Sequence, residues 1–171
     1  MTGPCFVDAN VFIYVRDARD PRKQARAVEW IDALWENRLG RTSVQAMAEA
    51  YAVATRKLGI HPDAAWHYVE RYFSWDPHPA NEALLRRARE NERRYRLSWW
   101  DSTIVAAAQA QGCVVLLTED LQDGAVLGTV TVRSPFTLQL GEAAALYAVQ
   151  ERRGVSLHRP RGRPKRAAAA V

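Results

Sequence analysis

Apolar positions recur along the chain in two rhythms. Cys5-Phe6-Val7 and Val114 to Leu117 are short unbroken apolar runs that read as buried strands, and Val130 to Val132 reads as a third short strand. Between them the spacing is helical. Val11 to Val15 forms an apolar turn of a helix that begins near Asn10. Asp20 followed by Pro21 is an N-cap with Pro at the first helical position, and Ala25, Val28, Ile31, Leu34 and Trp35 carry that helix to about Leu39, where Gly40 ends it. A helix capped by Thr42 or Ser43 runs to about Leu58 and stops at Gly59. His61 to Phe73 is helical with Ala64, Tyr68 and Tyr72 on one side, and Asp76 to Pro79 is a loop. A charged helix covers Asn81 to Leu97 on Leu84, Leu85, Ala88 and Tyr95. Ser98-Trp99-Trp100-Asp101 has the form of a capping box with Asp in place of Glu, and its helix ends at Gly112. Asp123-Gly124 is a turn, and Leu138 to about Arg153 is a last helix, broken or started at Gly141. Few strands separated by helices require crossovers, which predicts an α/β fold with a short, mainly parallel sheet and high helix content.

After Arg153 the composition changes. Residues 154–166 hold two Gly, two Pro, five cationic residues and no acid, so the 171 residues divide into a domain over 1–153 and a disordered basic tail over 154–171. An apolar share of 48% and a charged share of 25% exclude wholesale disorder, collagen and coiled-coil rods. The net charge of +5 is unevenly placed. Seven of the 24 Lys+Arg lie in residues 152–171, which hold no acid, and the remaining 17 stand against all 19 Asp+Glu, a net of −2. A slightly acidic domain thus carries a short cationic appendage. Cys5 and Cys113 cannot make a disulfide framework and read as small buried hydrophobes. No membrane-spanning run and no signal peptide are expected, and the expected compartment is a reducing cytoplasm.

Four acids stand out by position. Asp8 ends the first strand, Glu49 lies inside a helix among apolar neighbours, Asp101 occupies the first turn of a helix, and Asp120 follows the second strong strand. Each has an ordinary explanation: Asp8 as a helix cap, Asp101 as an acid favoured at a helix N-terminus, Asp120 as a turn residue, Glu49 as a solvated helix position. Together they mean more. In parallel α/β sheets the C-terminal strand ends share one edge, where ligands bind. Asp8 and Asp120 meet there if their strands are neighbours. Grouped carboxylates repel one another and need protons or cations, and hard divalent cations take carboxylate and water oxygens while leaving room for phosphate. Two such ions can hold the attacking and leaving oxygens of a phosphodiester displacement.

Phe6-Val7-Asp8-Ala9-Asn10-Val11-Phe12-Ile13-Tyr14, Ser43 with the helix carrying Glu49, Trp100-Asp101-Ser102 with Ile104 to Ala108, and Leu116 to Gly124 stand in the order of the sequence blocks of PIN-domain nucleases, and the chain resembles that family over roughly Cys5 to Pro135. It is most similar to VapC-type toxins of toxin–antitoxin pairs. The resemblance implies a PIN-like (Rossmann-like) three-layer domain and a Mg²⁺- or Mn²⁺-dependent endoribonuclease. Asp8, Glu49, Asp101 and Asp120 match the acidic positions that bind metal and activate water for attack on RNA. Asn10 matches a position beside the first acid, Thr118 a hydroxyl that orients it, and Asp123 an outer acid. Glu119 adjoins Asp120, and the family pattern favours Asp120. A cognate antitoxin that blocks the pocket and a homodimer are implied as partners. The alternatives are a stand-alone PIN nuclease in RNA processing or repair, and a non-cleaving nucleic-acid-binding module.

Other features offer weaker signals. Of Trp99 and Trp100, at least one is expected in the core, and stacking on RNA bases is a use for the other. The Arg-rich stretch from Arg86 to Arg96 reads as a solvated helix face that could also contact RNA phosphates. His61, His67, His78 and His158 show no ligand spacing. In the tail, Arg161-Gly162-Arg163-Pro164 resembles an AT-hook, in which an extended Gly/Pro backbone lets Arg enter the narrow minor groove of A·T-rich DNA. A general basic tail that binds any polyanion is the broader reading.

Overall fold

One residue, Asp8, ends the first strand and begins the first helix. Its backbone is extended, and its carboxylate accepts the N–H of Ala9 as the helix N-cap. The computed structural model of the chain describes residues 3–142. In order, the elements are β1 (Cys5–Val7), α1 (Ala9–Arg16), α2 (Pro21–Glu36), β2 (Gly40–Arg41), α3 (Val44–Arg56), α4 (Pro62–Glu70), a 3-10 segment (Arg71–Trp75), α5 (Glu82–Tyr95), α6 (Trp99–Ala110), β3 (Val115–Leu117), β4 (Val126–Leu127) and β5 (Val130–Arg133). Side-chain oxygens of Asp20, Ser43, Asn81 and Ser98 cap α2, α3, α5 and α6 as their sequences predict.

The sheet order is β2-β1-β3-β5-β4, parallel throughout except for the β4–β5 hairpin. Alternate strand residues serve two cores. Cys5, Val7, Val115 and Leu117 pack with α1, α2 and residues of α3, α4 and the 3-10 segment. Phe6, Leu116, Val130 and Val132 pack with α5 and α6. Because both faces are covered, the central strands β1 and β3 are unbroken apolar runs, and the α/β three-layer expectation holds. No helix among the described residues is long and apolar enough to cross a membrane.

Several elements depart from the sequence pattern. β2 and β4, of two residues each, carry no detectable period. At Gly128, φ is +68°, as the first central position of a tight hairpin turn between β4 and β5 requires. Gly40 does not end α2. Asn37 caps that helix, Arg38 takes the left-handed conformation, and Gly40 lies in β2 beside Cys5. The buried stripe of α2 is Ala27, Trp30, Ile31 and Leu34, while Ala25 and Val28 are exposed. Likewise α4 buries Ala65 and Val69 rather than Ala64, and Leu85 of α5 is exposed. The helix from Leu138 to Arg153 lies outside the described residues beyond Glu142, as does the tail.

Gly40 is small because Trp75 lies on it. A Cβ there would stand 2.5 Å from three indole carbons. The indole cannot retreat easily, since Phe12, Trp35 and Tyr72 surround it with ring centroids 6.0, 5.7 and 5.1 Å away. Gly40→Ala is expected to lower stability by about 1–3 kcal/mol through overpacking, read as a lower urea midpoint at unchanged m.

Candidate functional site

Parallel pairing of β1 with β3 sets Val7 beside Leu117, so the residues after both strands emerge at the same sheet edge. The Asp8 N–H donates to the Leu117 carbonyl at 3.1 Å, which locks the two strand ends together. From β3, Thr118-Glu119-Asp120 continues alongside the start of α1. An open cleft of about 410 Å³ forms there, lined by Asp8, Gln45, Glu49, Trp100, Asp101, Ile104 and Asp120. All four predicted acids are therefore brought to one cavity from four separate parts of the chain.

The Thr118 hydroxyl joins the two strand-end acids. It donates to Asp8 Oδ2 at 2.8 Å and accepts from Asn10 Nδ2 at 2.9 Å and from the Asp120 N–H at 3.1 Å. Its one proton and both lone pairs are thus engaged. Asn10 Nδ2 also donates to Asp120 Oδ2 at 3.0 Å. With the amide held that way, Asn10 Oδ1 is buried without a hydrogen-bond partner among the described residues. Thr118 therefore orients Asp8, and Asn10 orients Asp120.

Burial pushes the pKa of the Asp8 carboxyl up to about 7. The Thr118 and Ala9 hydrogen bonds oppose this rise, and the charges of Asp120 and Glu49 add to it. Glu49 is also raised, by partial burial and by the charges of Asp120 and Asp101, against Lys57. Asp101 is placed by its helix start. Ser98 Oγ accepts the Asp101 N–H at 3.1 Å and donates to Asp101 Oδ2 at 2.6 Å. The capping box is thus altered, since the acid returns to the cap hydroxyl.

The remaining candidates lie off the cleft lining. Ser43, fully buried, caps α3 through the Ala46 N–H and so sets the helix that presents Glu49. Asp123 turns toward the segment after β5, accepting from Arg133 Nε at 3.0 Å, the Ser134 N–H at 2.9 Å and the Thr137 hydroxyl. Burial alone would raise its pKa, but these bonds hold it below the ordinary value. Glu119 points elsewhere too, ion-paired to Lys23 at 2.5 Å and hydrogen-bonded by Tyr14. That pairing leaves Asp120 to face the cleft. His61, His67 and His78 are outside the lining, and His158 and the tail residues Arg161 to Pro164 lie outside the described residues.

Gln45, Trp100 and Ile104 complete the lining. Helical spacing points to two of them. Gln45 stands one turn before Glu49 on α3, and Ile104 one turn after Trp100 on α6. Gln45 Oε1 accepts the Thr103 hydroxyl, which ties α3 to α6 across the cleft.

The donor set consists of carboxylates with an amide oxygen nearby, with no thiol or imidazole in the lining. Among the described residues, no three His, Cys, Asp or Glu side chains stand in a ready-made ligating group. The acids spread along the walls instead, which suits a hard cation that keeps part of its water shell. Buried Asp8, whose charge is disfavoured, and unpartnered Asn10 Oδ1 both fit such an ion. No curated protein matches the chain. The sequence model of one family, the PIN domain, matches residues 5–122, more than half of the chain.

Proposed function

The chain belongs to the PIN domain family, whose members are generally metal-dependent nucleases, and from that premise we propose that it is a Mg²⁺- or Mn²⁺-dependent endoribonuclease and the toxin of a toxin–antitoxin pair. The observation that carries the reading is the convergence of Asp8, Glu49, Asp101 and Asp120 in one cleft at the C-terminal edge of a parallel sheet.

Asp8 and Asp101 would hold the principal ion, with Glu49 and Asp120 completing its surroundings directly or through water. When bound, the ion supplies Lewis-acid stabilisation of the phosphate and a water activated at neutral pH. The chain's own residues supply position. Thr118 fixes the Asp8 carboxylate, Asn10 fixes Asp120, and Ser98 fixes Asp101. Because the cleft is lined by four carboxylates and by no Lys or Arg, RNA approaches it only once that charge is offset. The basic segment over 154–171 adds affinity for nucleic acid. Attack of water at phosphorus with cleavage of the P–O3′ bond would give a 5′-phosphate and a 3′-hydroxyl, the 3′-oxygen departing with a proton.

The test is cleavage of RNA by the purified chain with added Mg²⁺ or Mn²⁺, with the new ends mapped. Asp101→Asn is expected to reduce cleavage by roughly 10²–10³-fold at unchanged fold. Undiminished cleavage by this variant sinks the site assignment. The toxin role is tested by growth on expression with and without the neighbouring gene. Equal growth in both cases removes the antitoxin and leaves the nuclease.

A further inference from the structure

Two adjacent tryptophans open α6, and they have opposite environments. Trp99 is partly buried against the core between the sheet, α5 and α6. Trp100 is 67% exposed, yet it lines the cleft together with Asp8, Glu49, Asp101 and Asp120. Its backbone is held, because its carbonyl lies 2.6 Å from the Thr103 hydroxyl, which it shares with Gln45 Oε1, and faces Gln45 Nε2 at 3.5 Å. Ile104, one helical turn on, extends the same apolar wall. A single exposed Trp on a surface is ordinary. One set on a fixed helix start inside a carboxylate cleft is a flat apolar face beside a site for phosphate.

The lining contains four acids, one amide and two apolar residues, and no Lys or Arg. Direct attraction for a polyanion is therefore absent from the cleft walls. Apart from a bound cation, what the walls themselves offer a nucleotide is contact with its other part, the base. A base offers a π-face that stacks on an aromatic side chain whatever its identity. In a duplex that face is already covered by its neighbours.

We propose that Trp100 is the stacking platform for an unpaired base next to the scissile phosphate. This rests on the nuclease reading of the same cleft. Trp100 acts on binding and register, while the carboxylates act on the bond.

The test measures binding of the full-length chain to a short, unstructured, fluorescein-labelled RNA by anisotropy, with Ca²⁺ in place of Mg²⁺ to slow turnover. Trp100→Ala is expected to weaken binding by about 10–100-fold, and Trp100→Phe by less than about 5-fold, since a ring remains. The loss should persist at high salt, because stacking involves no counterion release. The same sequence annealed into a duplex should bind the three proteins equally. Unchanged affinity of Trp100→Ala for the single strand overturns the proposal, as does an equal loss on single strand and duplex. Cleavage by the wild type separates the two readings. A protein that cleaves with Trp100-independent binding loses the platform alone, and one that binds through Trp100 without cleaving loses the nuclease alone.

Discussion

Asp8→Asn is expected to reduce RNA cleavage by about 10³-fold or more while making the metal-free protein more stable at neutral pH. Both halves follow from one carboxylate. Asn is as good an N-cap as Asp, so the Ala9 N–H keeps its acceptor and α1 keeps its start. What is removed is a buried negative charge, 8% exposed and facing the charges of Asp120 and Glu49. The folded pKa, about 7, lies above the ordinary 3.8, so the protonated form is favoured by folding. That stabilisation is fully present below about pH 4 and is lost as pH rises through 7, a ceiling of about 4 kcal/mol. The variant does not suffer this loss. Against it stands the Thr118 hydroxyl, whose acceptor becomes an amide, worth about 1 kcal/mol. A net gain of about 2–3 kcal/mol near pH 8, shrinking toward pH 5, is the expected result of thermal melts in chelator. Added Mg²⁺ should raise the wild-type melting temperature and leave the variant unmoved. A variant less stable than wild type in chelator near pH 8 would refute the electrostatic account.

Trp30→Ala is expected to destabilise the fold by about 3–5 kcal/mol, through a cavity and a lost hydrogen bond together. Trp30 is fully buried on the α2 side of the sheet, and its indole N–H donates to the Pro135 carbonyl at 2.9 Å. Alanine leaves the ring's volume empty and a buried carbonyl without its donor. Trp30→Phe refills most of the volume but not the bond, so about 1–2 kcal/mol separates it from wild type. Urea denaturation of the three proteins checks the order. A loss below about 1 kcal/mol for Trp30→Ala would mean that the segment after β5 does not depend on this anchor.

The site is more legible in the sequence than the packing is. Asp8 and Asp120 follow the two strongest apolar runs, and parallel pairing of such runs brings their ends to one edge. Caps are legible for the same local reason, because Ser43 and Ser98 need only the next turn of chain. Helix faces are not. In α2, whether Val28 or Ala27 turns inward is a rotation of one residue, and packing of Trp30 on the sheet decides it. Gly40 misleads because a glycine after a helix usually ends it. Here the reason for glycine is the Trp75 indole, 35 residues later in the chain. Trp99 and Trp100 show the same limit. Adjacent helical residues point about 100° apart, and sequence alone does not say which faces the cleft.

The order β2-β1-β3-β5-β4 also acts as a clock. The bonds that assemble the cleft, Thr118 to Asp8 and Asn10 to Asp120, each close a loop of 110 residues. A chain growing at about 5–20 residues per second delivers Asp120 roughly 5–20 s after Asp8. Through that interval Asp8 and Asn10 stand without the Thr118 and Asp120 groups that fix them in the folded chain. The edge that carries the four acids is therefore completed only when β3 pairs with β1.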